Sequence, residues 1–336
     1  MNLIPLIEMS RGGTLENLHF GAVAVVNRHG KLLAHAGDAN WLTFSRSTLK
    51  ALQALPFMQA QGPAQFGFGL EQIAMLCASH NGEEQHVAQT QGMLEKAGLT
   101  YKALRCGCHV PALFETLGTS PPQGAVFDER YNNCSGKHAG FLAFCVQHGL
   151  GLDNYIDPMH PLQAAIRRDV ARATGMEADT LKMGIDGYSA PNYALPLANL
   201  ALGYARLASG TQDGEFGASF ARLAEAMTTH PDLVSGTGRS DLAFMRAGRG
   251  DWVTKIGADG VQVVGSKSRG EAFAIKIIDA NKPALYGATV EVLEQLGWLD
   301  DAQRKELEVW RARDIRNARA LKVGERKPVF RLSGAA

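Results

Sequence analysis

The sequence predicts an α+β fold in which both ends of the chain contribute to one antiparallel sheet. Residues 20–35 and 252–278 are rich in β-branched and apolar residues interrupted by short turns, whereas residues 50–245 carry mostly helical patterns. Strands that are distant in sequence must still find partners, and the simplest closure joins the two ends into one sheet. The helical segment is then inserted as a second lobe, with a cleft between the lobes.

The approximate bounds of the lobes follow from these changes of pattern. We expect a sheet lobe at residues 1–45 and 250–300, a helical lobe at residues 46–249, and a charged C-terminal helix at residues 300–320. No internal repeat or low-complexity segment divides the chain, so residues 1–336 are predicted to form a single domain. The basic side chains of the terminal helix are interpreted as a solvated face.

Turn and cap residues separate the individual elements. The dipeptide Asp259-Gly260 is typical of a β-hairpin, and Gly98 and Gly297 are typical helix ends. The predicted strands are residues 20–26, 31–35, 252–256, 261–265 and 272–278. The predicted helices include residues 84–97, 139–148, 162–174, 195–208 and 284–296.

Composition excludes several classes of function. The 46% of hydrophobic residues is enough for a large core, and the formal net charge of +1 gives no reason to expect nucleic-acid or anionic-membrane binding. No apolar run reaches the roughly 20 residues of a membrane span, and residues 1–5 lack the pattern of a signal peptide. Five cysteines, an odd and small number, fit a reduced compartment, so we expect a cytoplasmic protein.

Ser47 and Lys50 form a Ser-x-x-Lys pair at the start of an apolar helix. If Ser47 lies in the first turn, Lys50 follows one turn later on the same face, and the two side chains can touch. A lysine removed from water loses its proton more easily and can then activate the serine as a nucleophile. The alternative for this pair alone is a capped helix with a surface lysine.

Two further motifs follow the first in order along the chain. Ser79-His80-Asn81 matches Ser-x-Asn and Lys255-Ile256-Gly257 matches Lys-x-Gly. The three motifs together resemble those of serine β-lactamases and penicillin-binding proteins, which also insert a helical lobe into a sheet formed by both chain ends. The resemblance implies a fold of that kind, with Lys255 on the strand that lines the cleft.

Five loops make the resemblance narrower. They are Arg46–Lys50, Ala78–Glu83, Asn133–His138, Asp186-Gly187-x-x-Ala190-Pro191-Asn192 and Gly236–Arg239. Together they resemble the rhizobial-type (class 3) L-asparaginases, often labelled asparaginase II, over roughly residues 10–296. The resemblance implies an intracellular, generally dimeric enzyme that hydrolyses L-asparagine to L-aspartate and ammonia, so a homodimer is expected.

The resemblance also implies which residues act. The family's catalytic serines and lysines fall on Ser47, Lys50, Ser79 and Lys255, and two of its zinc ligands fall on Cys134 and Lys137. Where the family has a second zinc-binding cysteine, this chain has Tyr188, and a neutral phenol replaces a thiolate poorly. We therefore expect that no cofactor is required and that zinc, if bound, is bound weakly.

The chemistry of amide hydrolysis accounts for the same residues. Ser47 and Lys50 supply nucleophile and base, while Ser79 and Lys255 are expected to form a second Ser-Lys pair that passes a proton to the leaving nitrogen. The substrate also carries an α-carboxylate, for which Arg46 offers a planar fork, and an α-ammonium, for which Asp186 offers a carboxylate. His138, as an orienting hydrogen-bond partner, and Asn81 complete the predicted binding residues.

Two other classes of function are compatible with the same sequence. The first is another Ser-Lys hydrolase, such as an esterase, a β-lactamase or a peptidase. The second is a non-catalytic protein of the same fold that is kept for binding. The four intact Ser and Lys positions favour an enzyme.

Overall fold

The computed structural model describes residues 2–311 and 313–334. Its central element is an antiparallel sheet that is assembled from both ends of the chain. The strands in this part of the chain are β1 (Ile4–Arg11), β2 (Thr14–Asn27), β3 (Leu32–Ala36), β4 (Leu42–Phe44), β5 (Lys182–Ile185), β6 (Pro191–Pro196), β7 (Trp252–Gly257), β8 (Val261–Ser266), β9 (Glu271–Ile277), β10 (Asp314–Arg316), β11 (Lys322–Pro328) and β12 (Ser333–Gly334).

The main sheet has the order β10-β11-β1-β2-β9-β8-β7, and β3 pairs with β2 and with the short β12. Its centre is the antiparallel pairing of β2 with β9, in register from Gly21 opposite Ile277 to Asn27 opposite Glu271. The N-terminal and C-terminal strands therefore close into one sheet, and the predicted α+β class is confirmed. The two predicted hairpins, β2–β3 and β7–β8, are also present.

Helices fill most of the segment between β3 and β7, as the sequence pattern indicates. The α-helices of the described residues are α1 (Lys50–Gln53), α2 (Leu55–Gln59), α3 (Gly62–Gln65), α4 (Leu70–Leu76), α5 (Glu84–Lys96), α6 (Ala112–Leu117), α7 (Ser135–Gln147), α8 (Pro161–Thr174), α9 (Leu197–Ser209), α10 (Gly217–Thr229), α11 (Pro231–Val234), α12 (Ser240–Ala247), α13 (Lys282–Gln295) and α14 (Asp301–Glu306). Within the same part of the chain, no helix is long and apolar enough to span a membrane.

The prediction of a charged helix over residues 300–320 holds for α14 and for a 3₁₀ turn, Glu308–Arg311, and is wrong from β10 onwards. Helix α14 ends at Glu306, and the chain returns to the main sheet through β10 and β11. Strand β11 pairs with β1 from Ile7 opposite Pro328 to Arg11 opposite Gly324. Backbone pairing with this edge of the sheet overrides the helical propensity of the charged residues, which stay largely exposed.

A second, three-stranded sheet of order β4-β6-β5 lies within the segment that the sequence pattern assigns to helices. Strand β6 is buried along almost its whole length, so it lacks the alternation of polar and apolar residues that indicates a strand. Strand β1 is likewise not evident from the sequence. Pro5 near its start and the polar residues at its end interrupt the apolar pattern that indicates a strand.

Two apolar clusters lie on opposite faces of the main sheet. The larger one joins the sheet to the helical lobe through α9, which packs on β2, β8 and β9, and the smaller one lies under α13. Tyr204 of α9 is fully buried, and its hydroxyl donates a hydrogen bond to the carbonyl oxygen of Thr48 at 2.9 Å. Helix α9 thereby ties the central packing to the turn that contains Ser47.

We predict that Tyr204→Phe lowers the free energy of unfolding by about 1 kcal/mol, because it leaves a buried carbonyl without its donor. Tyr193→Phe is the matched control: Tyr193 is also buried, but its hydroxyl makes no hydrogen bond within residues 2–311 and 313–334. Chemical denaturation of both variants measures the difference. Equal losses for the two variants would contradict the assigned role of the Tyr204 hydroxyl.

Candidate active site

A cavity of about 510 Å³ opens between the two lobes. The Ser47 turn, the loops after α4 and before α7, the β5–β6 loop and the end of β7 contribute to its wall. Seven of the residues that the sequence singled out line it: Arg46, Ser47, Lys50, Ser79, Lys137, Asp186 and Tyr188. Lys255, Asn81, His138 and Cys134 do not line it and lie buried behind its wall.

Ser47 lies in a 3₁₀ turn, Arg46–Leu49, which runs directly into α1. Arg46 has a left-handed backbone with φ of 51°, which is unfavourable for a residue with a side chain. The side-chain amide of Asn192 holds this conformation, since it accepts from the Arg46 N–H and donates to the Arg46 carbonyl, each at 3.0 Å. The strained turn keeps Ser47 half-buried and facing the cavity.

Strand β7 packs directly against this turn at Gly257. A Cβ at Gly257 would lie 3.0 Å from the Ser45 carbonyl oxygen and 3.2 Å from the Cβ of Arg46. The glycine of the Lys-x-Gly motif therefore suits the close approach of two backbones, because a side chain there would have to displace the serine turn slightly. This contact sets the distance between the serine turn and the edge of the main sheet.

Lys50 is buried, and its ammonium group donates to the carbonyl oxygen of Ala78 and to the hydroxyl of Ser79, the latter at 2.8 Å. Burial lowers the pKa of Lys50 to about 8, and the charges of Lys255 and Lys137 contribute in the same direction. Half of Lys50 is therefore neutral at about pH 8, and neutral lysine is the state that a base requires.

The expected second pair, Ser79 with Lys255, is not formed. The Lys255 ammonium lies 3.2 Å from Oδ2 of Asp241, and both side chains are completely buried. Asp241 also accepts from the N–H of Ile256 and the hydroxyl of Thr254, at 2.9 and 3.2 Å. A fully buried carboxylate needs an opposite charge, so Lys255 turns towards Asp241 and Ser79 bonds with Lys50 instead.

The sequence motifs do not point to Asp241, the buried counter-ion of Lys255. An acidic residue in the first turn of a helix, here α12, ordinarily needs no explanation beyond the helix dipole. The available signal was its distance of two residues from the Gly236–Arg239 loop, which had already been singled out.

Two residues that were predicted to bind substrate lie behind the cavity wall and form hydrogen bonds with other protein groups. Asn81 donates to the carbonyl oxygen of Thr237 at 2.8 Å and so holds the Gly236–Arg239 loop. His138 is fully buried, and its Nδ1 lies 2.7 Å from the hydroxyl of Tyr155. Because neither side chain lines the cavity, a direct contact of either with substrate is not supported.

Asp186 reaches the cavity but already has a cation beside it. Its Oδ2 accepts from the buried Lys137 ammonium at 2.7 Å, and its Oδ1 accepts from the N–H groups of Tyr188 and Ala190. Burial opposes ionisation of Asp186, but Lys137 and the two N–H groups outweigh it and lower its pKa to about 2. Burial works against the charge of Lys137 as well, yet Asp186 raises the pKa of that lysine.

The residues that the resemblance assigned to zinc do not fit the metal. An ammonium that donates to Asp186 has no lone pair for coordination, and burial raises the pKa of Tyr188, whose hydroxyl accepts from Asn133 at 2.9 Å. The other thiol near Cys134 is that of Cys106, which is buried and donates to the Glu129 carbonyl oxygen at 3.6 Å, and burial raises its pKa to about 12. Cys134 is thus left without a second thiolate. Within residues 2–311 and 313–334, no group of three or more His, Cys, Asp or Glu side chains is arranged to hold a metal ion.

Comparisons with known proteins relate nearly the whole chain to one family. The family model described as L-asparaginase II matches residues 7–328. A search of curated proteins gave no match. Among solved structures, the chain is similar to a β-lactamase from Mycobacterium bovis with 15% sequence identity and a TM-score of 0.42, over 82% of this chain and 94% of that chain.

We predict that the protein purified without a histidine tag contains far less than one zinc per chain and keeps its activity in EDTA. In contrast, Tyr188→Cys should gain zinc, because it supplies the thiolate that the site lacks. Elemental analysis of both proteins measures the difference. About one zinc per wild-type chain, with activity lost on chelation, would contradict the prediction.

Proposed function

Since the chain belongs to the L-asparaginase II family, we propose that it hydrolyses L-asparagine to L-aspartate and ammonia through a serine-bound acyl intermediate. The observation that carries the proposal is the environment of Lys50. It is buried, its pKa is lowered to about 8, it bonds to Ser79, and it lies one turn after Ser47. A cytoplasmic homodimer remains the prediction for localisation and assembly.

Ser47 is the proposed nucleophile. It faces the cavity half-buried, whereas Ser79 is only 4% exposed. Its hydroxyl makes no hydrogen bond with the described residues 2–311 and 313–334, so it is available to the substrate. Neutral Lys50 takes the hydroxyl proton, directly or through Ser79, as the Ser47 oxygen bonds to the amide carbon.

The same proton then serves the leaving group. Lys50 and Ser79 return it to the amide nitrogen as the carbon–nitrogen bond breaks, which releases ammonia and leaves a β-aspartyl ester on Ser47. In the second half of the reaction Lys50 accepts a proton from water, the resulting hydroxide attacks the ester, and Ser47 regains its hydrogen.

Two backbone N–H groups are proposed to stabilise the oxyanion. The first belongs to Ser47 itself, at the beginning of the helical turn. The second belongs to Ala258, which lines the cavity. Ala258 follows β7 directly, in the turn that leads to β8, so its backbone lies beside the serine turn against which Gly257 packs.

An ammonia assay with L-asparagine and L-glutamine, together with the β-lactam nitrocefin, tests the proposed function against the other Ser-Lys hydrolases. We expect ammonia from L-asparagine and no opening of nitrocefin. A protein that turns over none of the three would support a binding function, and one that opens nitrocefin alone would support a β-lactamase.

We predict that Ser47→Ala abolishes turnover without loss of folding, and that acid-quenched wild-type enzyme carries a β-aspartyl group on Ser47. Ser79→Ala should slow both halves of the reaction but leave the adduct on Ser47, because Ser79 only transfers protons. Mass spectrometry of digested protein locates the adduct. An adduct on Ser79 would exchange the roles of the two serines.

We predict that kcat/KM rises with pH through about 8, because burial lowers the pKa of Lys50 to about 8 and only its neutral form is a base. Below that pH the neutral fraction falls about tenfold per pH unit. Lys50→Arg should be inactive at every pH, since arginine keeps the charge but does not deprotonate. Substantial activity of Lys50→Arg would mean that Lys50 acts only as a fixed cation.

A further inference from the structure

Among the cations that line the cavity, Arg239 is the one whose donors are least occupied by other protein groups. Arg46 is paired with Asp259, Lys137 with Asp186, and Lys282 with Glu115 at 3.5 Å, while Lys50 bonds to the Ala78 carbonyl and to Ser79. For Arg239, in contrast, no carboxylate oxygen within residues 2–311 and 313–334 comes as close as 4 Å, and no short hydrogen bond takes its place. The one side-chain hydrogen bond that it makes with these residues goes to Oδ1 of Asn81, at 3.4 Å.

A half-buried guanidinium of this kind has most of its five donors unused. The planar fork matches the geometry of a carboxylate, to which it donates two parallel hydrogen bonds. No other cation of the cavity wall offers an unpaired fork, because the lysines lack the planar geometry and Asp259 already neutralises the charge of Arg46. A substrate carboxylate at the remaining donors of Arg46 would also lie near the like charge of Asp259.

The loop that carries Arg239 is rigidly held, which keeps the guanidinium in position. Gly236 and Gly238 have φ of 113° and 73°, conformations that favour glycine. Between them, the carbonyl oxygen of Thr237 accepts from Asn81 at 2.8 Å, and its N–H donates to Glu83 at 2.7 Å. A ligand that binds Arg239 therefore meets a group that has already lost most of its freedom.

We propose that Arg239 binds the α-carboxylate of the amino-acid substrate. The inference rests on the proposed function and refines it, because Arg239 replaces Arg46 as the carboxylate anchor. It makes Arg239 the residue that selects amides of α-amino acids over simple amides. Arg46 then serves mainly to join the serine turn to the β7–β8 hairpin through Asp259.

The test compares L-asparagine with 3-aminopropanamide, which is asparagine without its α-carboxylate. We expect Arg239→Gln to raise KM for L-asparagine about 10- to 100-fold with little change in kcat, as for the loss of a charge-assisted hydrogen bond. Binding of 3-aminopropanamide, measured as substrate or as competitor, should change less than about twofold. Arg239→Lys should retain part of the affinity because it keeps the charge without the fork.

Arg246→Gln is the matched control, since it removes one exposed arginine from α12, outside the cavity, and should leave both substrates unaffected. Equal losses on both ligands in Arg239→Gln would overturn the inference and indicate a purely structural role. A carboxylate-dependent loss in Arg46→Gln, with none in Arg239→Gln, would return the anchor to Arg46. A wild-type protein that releases no ammonia from L-asparagine would instead overturn the proposed function, and the inference with it.

Discussion

Burial of three lysines in one small region is the constraint on which the site depends. Lys50, Lys137 and Lys255 are each at most 2% exposed. An ammonium group removed from water must either meet an opposite charge or give up its proton. Asp186 pairs with Lys137 and Asp241 pairs with Lys255, whereas Lys50 has no carboxylate beside it and bonds to the Ala78 carbonyl, the Ser79 hydroxyl and the Cys134 sulfur. The lysine beside both serines is thus the one without a carboxylate partner. It can lose its proton and act as a base, whereas Lys137 and Lys255 balance the charges of buried carboxylates.

The fold brings these groups together from remote parts of the chain. Ser79 follows α4, Asp186 precedes β6, and Asp241 lies in the first turn of α12. They meet only because β2 pairs with β9, which brings the C-terminal strands beside the helical lobe. At the junction, Gly257 allows β7 to approach the serine turn and Tyr204 ties that turn to the central helix α9.

One short segment, residues 236–241, contributes one side chain to the cavity wall and another to the buried layer behind it. Its glycine-containing part presents Arg239 to the cavity, while two residues later Asp241 holds Lys255 beneath the wall. Asn81 connects the segment to the loop that carries Ser79. A displacement of this segment would therefore alter substrate binding and the electrostatics of the buried lysines together.

By itself, the sequence determined the α+β class, the hairpins β2–β3 and β7–β8, and the grouping of Ser47, Lys50 and Ser79 at the cavity. These features depend on local patterns: turn dipeptides, helix starts and short motifs in order. The tertiary structure decided the rest. It turned the charged tail into strands because β1 offered an edge for pairing, and it buried β6, which removed the alternation that indicates a strand. It also pairs Lys255 with Asp241 instead of Ser79, and it pairs Arg46 with Asp259. Which charges become neighbours, and how deeply each is buried, depends on contacts between segments that are far apart in sequence, and no local pattern records them.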